Sequence, residues 1–201
     1  MQAELEAERQ GSTRLWCADF TSPSLTVPGW ISTIGISVLV CNASTYHPGG
    51  FDKIETAANE VALYITSNAA ILNALRPSAS PSAPPPTLRS VVAVTDISVD
   101  RIPKGHVAYT TGKGALQSFI LTLATDWAPY VRFNVVQPGT LPFPEDWKDD
   151  ERQRKIMETI PLGRIGSFED LAGAVVYLAL DATYVTGQVL AVDGGRSRHM
   201  H

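Results

Sequence analysis

A chain of 201 residues that is 44% hydrophobic and 18% charged can build one sizeable core, and its composition excludes wholesale disorder. Its 20 acidic residues outnumber the 16 basic ones, and the net charge of -4 leaves little positive field for a nucleic-acid backbone. No apolar run approaches the ~20 residues that span a bilayer, and the opening MQAELEAERQ lacks the basic start and apolar stretch of a secretory signal, so the expectation is a soluble cytoplasmic protein without nucleic-acid or membrane partners.

Met1 to Gln10 alternates Glu with Ala and Leu like the tail of a helix whose beginning is missing, and Gly11 stops it. TRLWCADF at 13–20 reads as a strand ending on the turn-forming Asp19 and Thr21, and Ser, Pro and Gly then dominate as far as Trp30. ISVLV at 36–40 is a near-continuous apolar run, the pattern of a strand covered on both faces in a parallel sheet. Cys17 and Cys41 stand isolated in apolar settings and read as small buried hydrophobes in a reducing compartment. Ile54, Ala58, Val61, Ala62, Ile65, Ala69 and Leu72 recur at helical spacing, which predicts a helix within 51–75 that Pro77 ends. The proline-rich stretch at 77–87 reads as a surface loop of low complexity rather than a domain boundary, because the strand SVVAV at 90–94 needs neighbours in the same sheet.

The alternation continues with a loop at 96–105, a helix at about 108–127 and the strand VRFNVV at 131–136. QPGTLPFP breaks the chain and DWKDDERQRKIMETI forms a charged amphipathic helix. SFEDLAGAVVYLAL forms another, with Ser167 and Asp170 at capping-box spacing, and QVLAV is the last strand before DGG. Strands alternating with helices of this length predict a single α/β domain over 1–201, a doubly wound parallel sheet with right-handed crossovers. Ligands of such a sheet bind at the carboxyl ends of its strands.

The polar residues that follow the apolar strands all fall on that rim: Asn42 and Ser44, Asp96, Gly139 and Thr140, and Asp193 to Gly195. Taken singly, each fits an ordinary strand end; their convergence points to a site. Tyr109 and Lys113 are four residues apart, so on a helix the phenol and the ammonium share one face. An ammonium beside a phenol favours the phenolate and eases proton exchange with a substrate oxygen or nitrogen, and the Asp96 carboxylate can reach the same pocket. Asn68 lies inside an apolar helix. It either faces solvent or caps, or it faces the sheet edge and its carbonyl holds a water next to Lys113. His47 and His106 have no third partner at metal spacing. Trp147 and DWKDDERQRK, with charges alternating in sign, read as a mobile lid over the rim.

These residues resemble the short-chain dehydrogenase/reductase family. The likeness is carried by CNAS at 41–44, Asn68, YTTGK at 109–113, Pro138 and Gly139, the PLGRIGSFEDLAGAVVYLAL run and YVTGQVLAVDGG. Within the family the chain most resembles the pteridine reductases, because Asp96 stands where most members have a catalytic serine. The resemblance implies NADPH as hydride donor to a pterin-like small molecule, with Tyr109 as the proton-transfer residue. It implies that Lys113 lowers the Tyr109 pKa and binds the nicotinamide ribose, and that Asp96 works with Tyr109 to deliver a proton to a pterin ring nitrogen. Ser44 matches a residue that bonds both pterin and cofactor phosphate, Tyr46 an aromatic that stacks on the pterin, Asn68 the water-holding residue, and Asn42, Pro138 and Gly139 cofactor positions.

One departure is large: the family's opening strand, its T-G-x-x-x-G-x-G turn and its second strand have no counterpart, so a Rossmann-like sheet truncated by two strands is expected. Either an apolar edge is then exposed or 13–20 pairs directly against 36–40. Three readings remain open: a pteridine or dihydrofolate reductase, a reductase of a carbonyl compound, and a non-catalytic member contributing helices to a homo-oligomer. Relatives commonly form tetramers through the helices matching 51–75 and 108–127 and through the last helix and strand.

Overall fold

The computed structural model describes residues 16–22, 24–46, 49, 56–76, 86–143 and 149–198. The helix tail expected at 1–10, most of the proline-rich loop, His47 and Trp147 lie outside these residues.

Four strands, Val38–Cys41 (β1), Ser90–Val94 (β2), Arg132–Pro138 (β3) and Val189–Val192 (β4), form one parallel sheet in the order β1-β2-β3-β4. Parallel neighbours need crossovers, and helices supply each of them. Between β1 and β2, Ala57–Val61 (α1) passes through a π-helical turn, Ala62–Thr66, into Ser67–Leu75 (α2). Val107–Asp126 (α3) joins β2 to β3, while Asp150–Glu158 (α4) and Phe168–Val176 (α5) lie between β3 and β4. This is the Rossmann-like α/β sheet that the sequence pattern predicts.

The apolar runs of β2 and of the body of β3 are buried because helices cover both faces of the sheet. Val91, Ala93, Phe133 and Val135 face one layer with Tyr64, Leu72, Leu116 and Ile120, and Val92 and Val136 face the other with Leu178 and Ala179. Successive strand residues alternate between the two layers, as the pleat requires. The Ser167 hydroxyl accepts from the Asp170 amide at 3.1 Å, and the Asp170 carboxylate accepts from the Ser167 amide at 2.8 Å, completing the capping box at the start of α5.

Three expectations change. Residues 16–20 do not join the sheet, although Trp16, Ala18 and Phe20 turn inward while Cys17 and Asp19 turn outward, an alternation that mimics a strand. Trp16 and Phe20 meet edge to face at 5.4 Å and pack on the core, and Asp19 Oδ1 accepts from the Thr21 amide at 2.9 Å and the Thr21 hydroxyl at 2.6 Å. Docking and a local turn thus do the work expected of a ladder. β1 is consequently an edge strand, unpaired on its outer side among the described residues, and Val40 is 43% exposed rather than covered. Cys17 is exposed by the same alternation, whereas Cys41 is buried and burial pushes its thiol up to about 12. Among the described residues no helix is long and apolar enough to cross a membrane.

Candidate active site

The sheet's carboxyl edge assembles the site. Two residues beyond β2, Asp96 caps a short 3-10 turn, Ile97–Val99, with Oδ1 accepting from the Ser98 amide at 2.6 Å. Its second oxygen, Oδ2, accepts from the Tyr109 phenol at 2.8 Å. Tyr109 sits in the first turn of α3, which begins where Gly105 adopts a positive φ of 79° and His106 enters the helix. One carboxylate thus holds its own backbone with one oxygen and the phenol with the other.

Burial, followed by the neighbouring Asp96 charge, holds the Tyr109 phenol well above the ordinary tyrosine range. In this structure burial and Asp96 set the direction of the phenol's shift, where the sequence led one to expect Lys113 to lower it. Lys113 Nζ donates to the Val94 carbonyl at 3.0 Å and lies 4.7 Å from the centre of the Tyr64 ring, against 5.9 Å for the Tyr109 ring. Lys113 is only 2% exposed, and burial draws its pKa down to about 8 despite the Asp96 and Glu60 carboxylates.

Tyr64 lies within the π-helical turn and donates its hydroxyl to the Thr45 carbonyl at 3.0 Å, with Ser44 Oγ also at 3.0 Å. Asn68, buried rather than solvent-facing, donates Nδ2 to the Tyr64 carbonyl at 2.9 Å, and Ser67 Oγ donates to that of Leu63. These side-chain donors serve carbonyls of the widened turn. Tyr46 stands on the other side of Tyr109, 61% exposed, with ring centroids 5.1 Å apart and edge to face. The Lys104 carbonyl, 3.0 Å from His106 Nδ1, can only accept, so that nitrogen carries the hydrogen and Nε2 accepts from the Tyr46 hydroxyl at 2.6 Å.

Asp96, Tyr109, Tyr46, Gly139 and Thr140 meet around a cavity of about 390 Å³, whose wall also includes Arg101, His106, Arg152, Ile156 and Arg196. Asn42, Ser44, Asn68, Lys113 and Pro138 are not on that wall. Asn42 and Ser44 are exposed beyond β1, and Lys113 lies behind Tyr109. A Cβ at Gly139 would come within 2.5 Å of the Asp193 Cα, so this glycine is required by the approach of the chain after β3 to the chain after β4. Of the segment read as a lid, α4 brings Arg152 to the cavity, with Ile156 just beyond the segment on the same helix, while 146–148 lie outside the described residues. A larger cleft of about 480 Å³ lies between Leu162, Arg164, Asp170 and the Asp193–Gly195 turn, away from the Tyr109 pair.

Tyr64, Glu60, His106, Arg101 and Arg196 escape sequence reasoning. A trace of the first two exists in Gly112, an unfavourable residue inside a helix. A Cβ there would lie 2.6 Å from Tyr64 Cδ2 and 3.2 Å from Glu60 Cβ. The buried Lys113 ammonium carries three hydrogens and donates one of them to the Val94 carbonyl.

A family model described as enoyl-(acyl carrier protein) reductase matches residues 32–197. Glucose 1-dehydrogenase of Gluconobacter oxydans is 32% identical over 170 residues, covering 80% of this chain, and the chain spans 62% of that relative's length. Among solved structures, FolM alternative dihydrofolate reductase 1 from Brucella suis in complex with NADP is similar at a TM-score of 0.77 and 25% identity, over 98% of this chain and 79% of that one. A blue fluorescent protein from a metagenomic library in complex with NADPH is similar at 0.77 and 26% identity, over 97% of this chain and 80% of that one.

Proposed function

Because the chain belongs to the short-chain dehydrogenase/reductase family, we propose that it is an NADPH-dependent oxidoreductase that reduces the C=N bond of a pterin or dihydrofolate. The observation that carries this reading is the Tyr109 phenol hydrogen-bonded to the Asp96 carboxylate at 2.8 Å on the wall of a cavity that Tyr46 flanks. The likeness to FolM in complex with NADP supports it.

In this reading Lys113 binds the nicotinamide ribose through its remaining donors, and Asn42, Ser44, Pro138 and Gly139 line the cofactor's path. The cofactor, when bound, supplies the hydride to the substrate carbon. Reduction of C=N also needs a proton at nitrogen, and Tyr109 holds that proton at Oη. Burial and Asp96 keep the phenol protonated at neutral pH, so the donor is loaded before substrate arrives. As the proton leaves Oη, the Lys113 charge behind the ring offsets the phenolate. Asp96 orients the phenol through Oδ2, and its bond to the Ser98 amide keeps the carboxylate from swinging away. Tyr46 offers a flat face to an aromatic substrate, steered by its bond to His106.

A second reading, reduction of a carbonyl compound, is favoured by the identity to glucose 1-dehydrogenase. Tyr109 Oη would then exchange its proton with a substrate oxygen. The deciding experiment follows loss of NADPH absorbance when the 201-residue chain is given dihydrobiopterin, dihydrofolate, or a panel of aldoses and ketones. Turnover of the pterins above every carbonyl compound is expected, with Tyr109→Phe slower by ~100-fold or more. Carbonyl turnover without pterin turnover would overturn the first reading in favour of the second.

A further inference from the structure

We propose that Tyr64 is a positioning residue for the reaction: its ring holds the Lys113 ammonium in place, and its hydroxyl ties that ring to the segment after β1 that carries Ser44 and Thr45. The proposal rests on the reading of Lys113 and Ser44 as cofactor-binding residues. It adds the side chain that fixes the two relative to each other.

An ammonium taken out of water needs partners, and Lys113 is buried. Its Nζ donates to the Val94 carbonyl at 3.0 Å and stands over the Tyr64 ring, 4.7 Å from the centre. A ring face attracts a cation within about 6 Å, most strongly where water is excluded, and Tyr64 is fully buried. The Tyr109 ring, at 5.9 Å, lies at the edge of that range. Charge also reaches Lys113 from two carboxylates, Asp96 beyond β2 and Glu60 on α1, and both favour its protonated form. Asp96 accepts from the Tyr109 phenol and the Ser98 amide, and both oxygens of Glu60 accept from Thr45 Oγ1, at 3.1 and 3.2 Å. An aliphatic side chain at position 64 would fill the volume without offering the ammonium a negative face.

Packing keeps the ring against the lysine. A Cβ on Gly112, the residue before Lys113, would lie 2.6 Å from Tyr64 Cδ2 and 3.0 Å from Cε2, so the ring rests directly on the backbone of α3. The π-helical turn at Ala62–Thr66 presents it from the opposite side, with Asn68 Nδ2 donating to the Tyr64 carbonyl. The tip of the side chain is anchored as well. Its hydroxyl donates to the Thr45 carbonyl at 3.0 Å, and Ser44 Oγ lies 3.0 Å from the same oxygen. Burial raises this phenol above the ordinary tyrosine range, so the hydroxyl remains a donor at neutral pH. One side chain thus reaches from α3, where Lys113 meets the ribose in the proposed reaction, to the Ser44 segment on the cofactor's path.

The test changes the charge of the ring face and keeps its shape. In the full chain, labelled at lysine, the Lys113 side chain is titrated by NMR, its resonance identified by its loss in Lys113→Met. Tyr64→Phe is compared with chains carrying trifluorinated or pentafluorinated phenylalanine in place of Tyr64, because fluorine withdraws electron density from the ring face. Lys113 is expected to titrate at about 8 in the wild type and close to that in Tyr64→Phe. With the pentafluorinated ring the midpoint should lie about one pH unit lower, and with the trifluorinated ring in between. Equal midpoints for the plain and the pentafluorinated ring overturn the proposal; should the latter chain fail to fold, the trifluorinated one decides. Tyr64→Phe, which keeps the ring and loses the hydroxyl, should speed amide hydrogen exchange at Thr45 and Tyr46 severalfold, and unchanged exchange overturns the tie to that segment. In turnover, the alkaline limb of kcat should move down with the Lys113 midpoint, and a limb that stays put overturns the placing of Tyr64 in the reaction. A midpoint that follows fluorination in a chain that reduces nothing removes the reductase reading alone. Pterin reduction with a midpoint blind to fluorination removes this inference alone.

Discussion

Lys113 connects the site to the stability of the fold. Its ammonium titrates near 10.5 in an unfolded chain and near about 8 in the folded one, because burial disfavours the charge. Between those values the unfolded chain keeps a proton that the folded chain has shed, so stability rises with pH across that window. The gain approaches about 3 kcal/mol, and below pH 8 the full cost of the buried charge is present. Urea unfolding of wild type and Lys113→Met from pH 7.5 to 10.5 checks this on their difference, which cancels the opposite trends of Tyr109 and Cys41; a flat difference would refute it. A second outcome concerns His106, which steers Tyr46 without touching Tyr109's proton partner. His106→Phe should raise KM severalfold and leave kcat within about twofold, a split that steady-state kinetics reads directly. Asp96, Tyr109 and Lys113 were legible in the sequence because a strand end and one helical turn bring them together. His106 with Tyr46, 60 residues apart, and Arg196 with Thr140, 56 apart, were not, because no local period links them.

Along the helices, the π-helical turn and Gly112 form one device. Tyr64 fills the space that a side chain at Gly112 would occupy, and the Lys113 charge rests on the face of that ring. Gly112→Ala would gain helix propensity but force the ring aside, and a net loss of about 1–3 kcal/mol is expected in chemical denaturation. Restoring stability by adding Tyr64→Leu to Gly112→Ala would identify the clash as the cause. The widened turn itself left no mark in the periodicity, which runs through it as apolar spacing. At α5 the reverse holds: the capping box is a three-residue relation, fully written in Ser167 and Asp170. Ser167→Ala should cost about 1 kcal/mol. Residues 16–20 show why alternation alone misleads, since an extended segment docked by Trp16 and Phe20 carries the same inward and outward pattern as a paired strand.

Across the molecule, the C-terminal third carries several exposed apolar side chains. Phe168, Val176, Tyr177, Leu180 and Tyr184 from α5 and the turns after it stand open to solvent, with Val189 and Leu190 of β4 also exposed. Association of copies of this chain, which the sequence leads one to expect, would cover such side chains. Light scattering after size-exclusion chromatography should report an oligomer, and Leu180→Glu should shift it toward the monomer; a monomeric wild type would refute the reading. The order of strands and helices, the two-layered core and the Asp96, Tyr109 and Lys113 set could all be read from the chain, because each depends on the spacing of neighbours along it. Which edge of the sheet stays open, how the Tyr109 proton is held against Asp96 rather than Lys113, and how three arginines come to line one cavity depended on folding. Those features arise where distant segments meet, and there burial and contact distance, which linear spacing does not encode, set the energies.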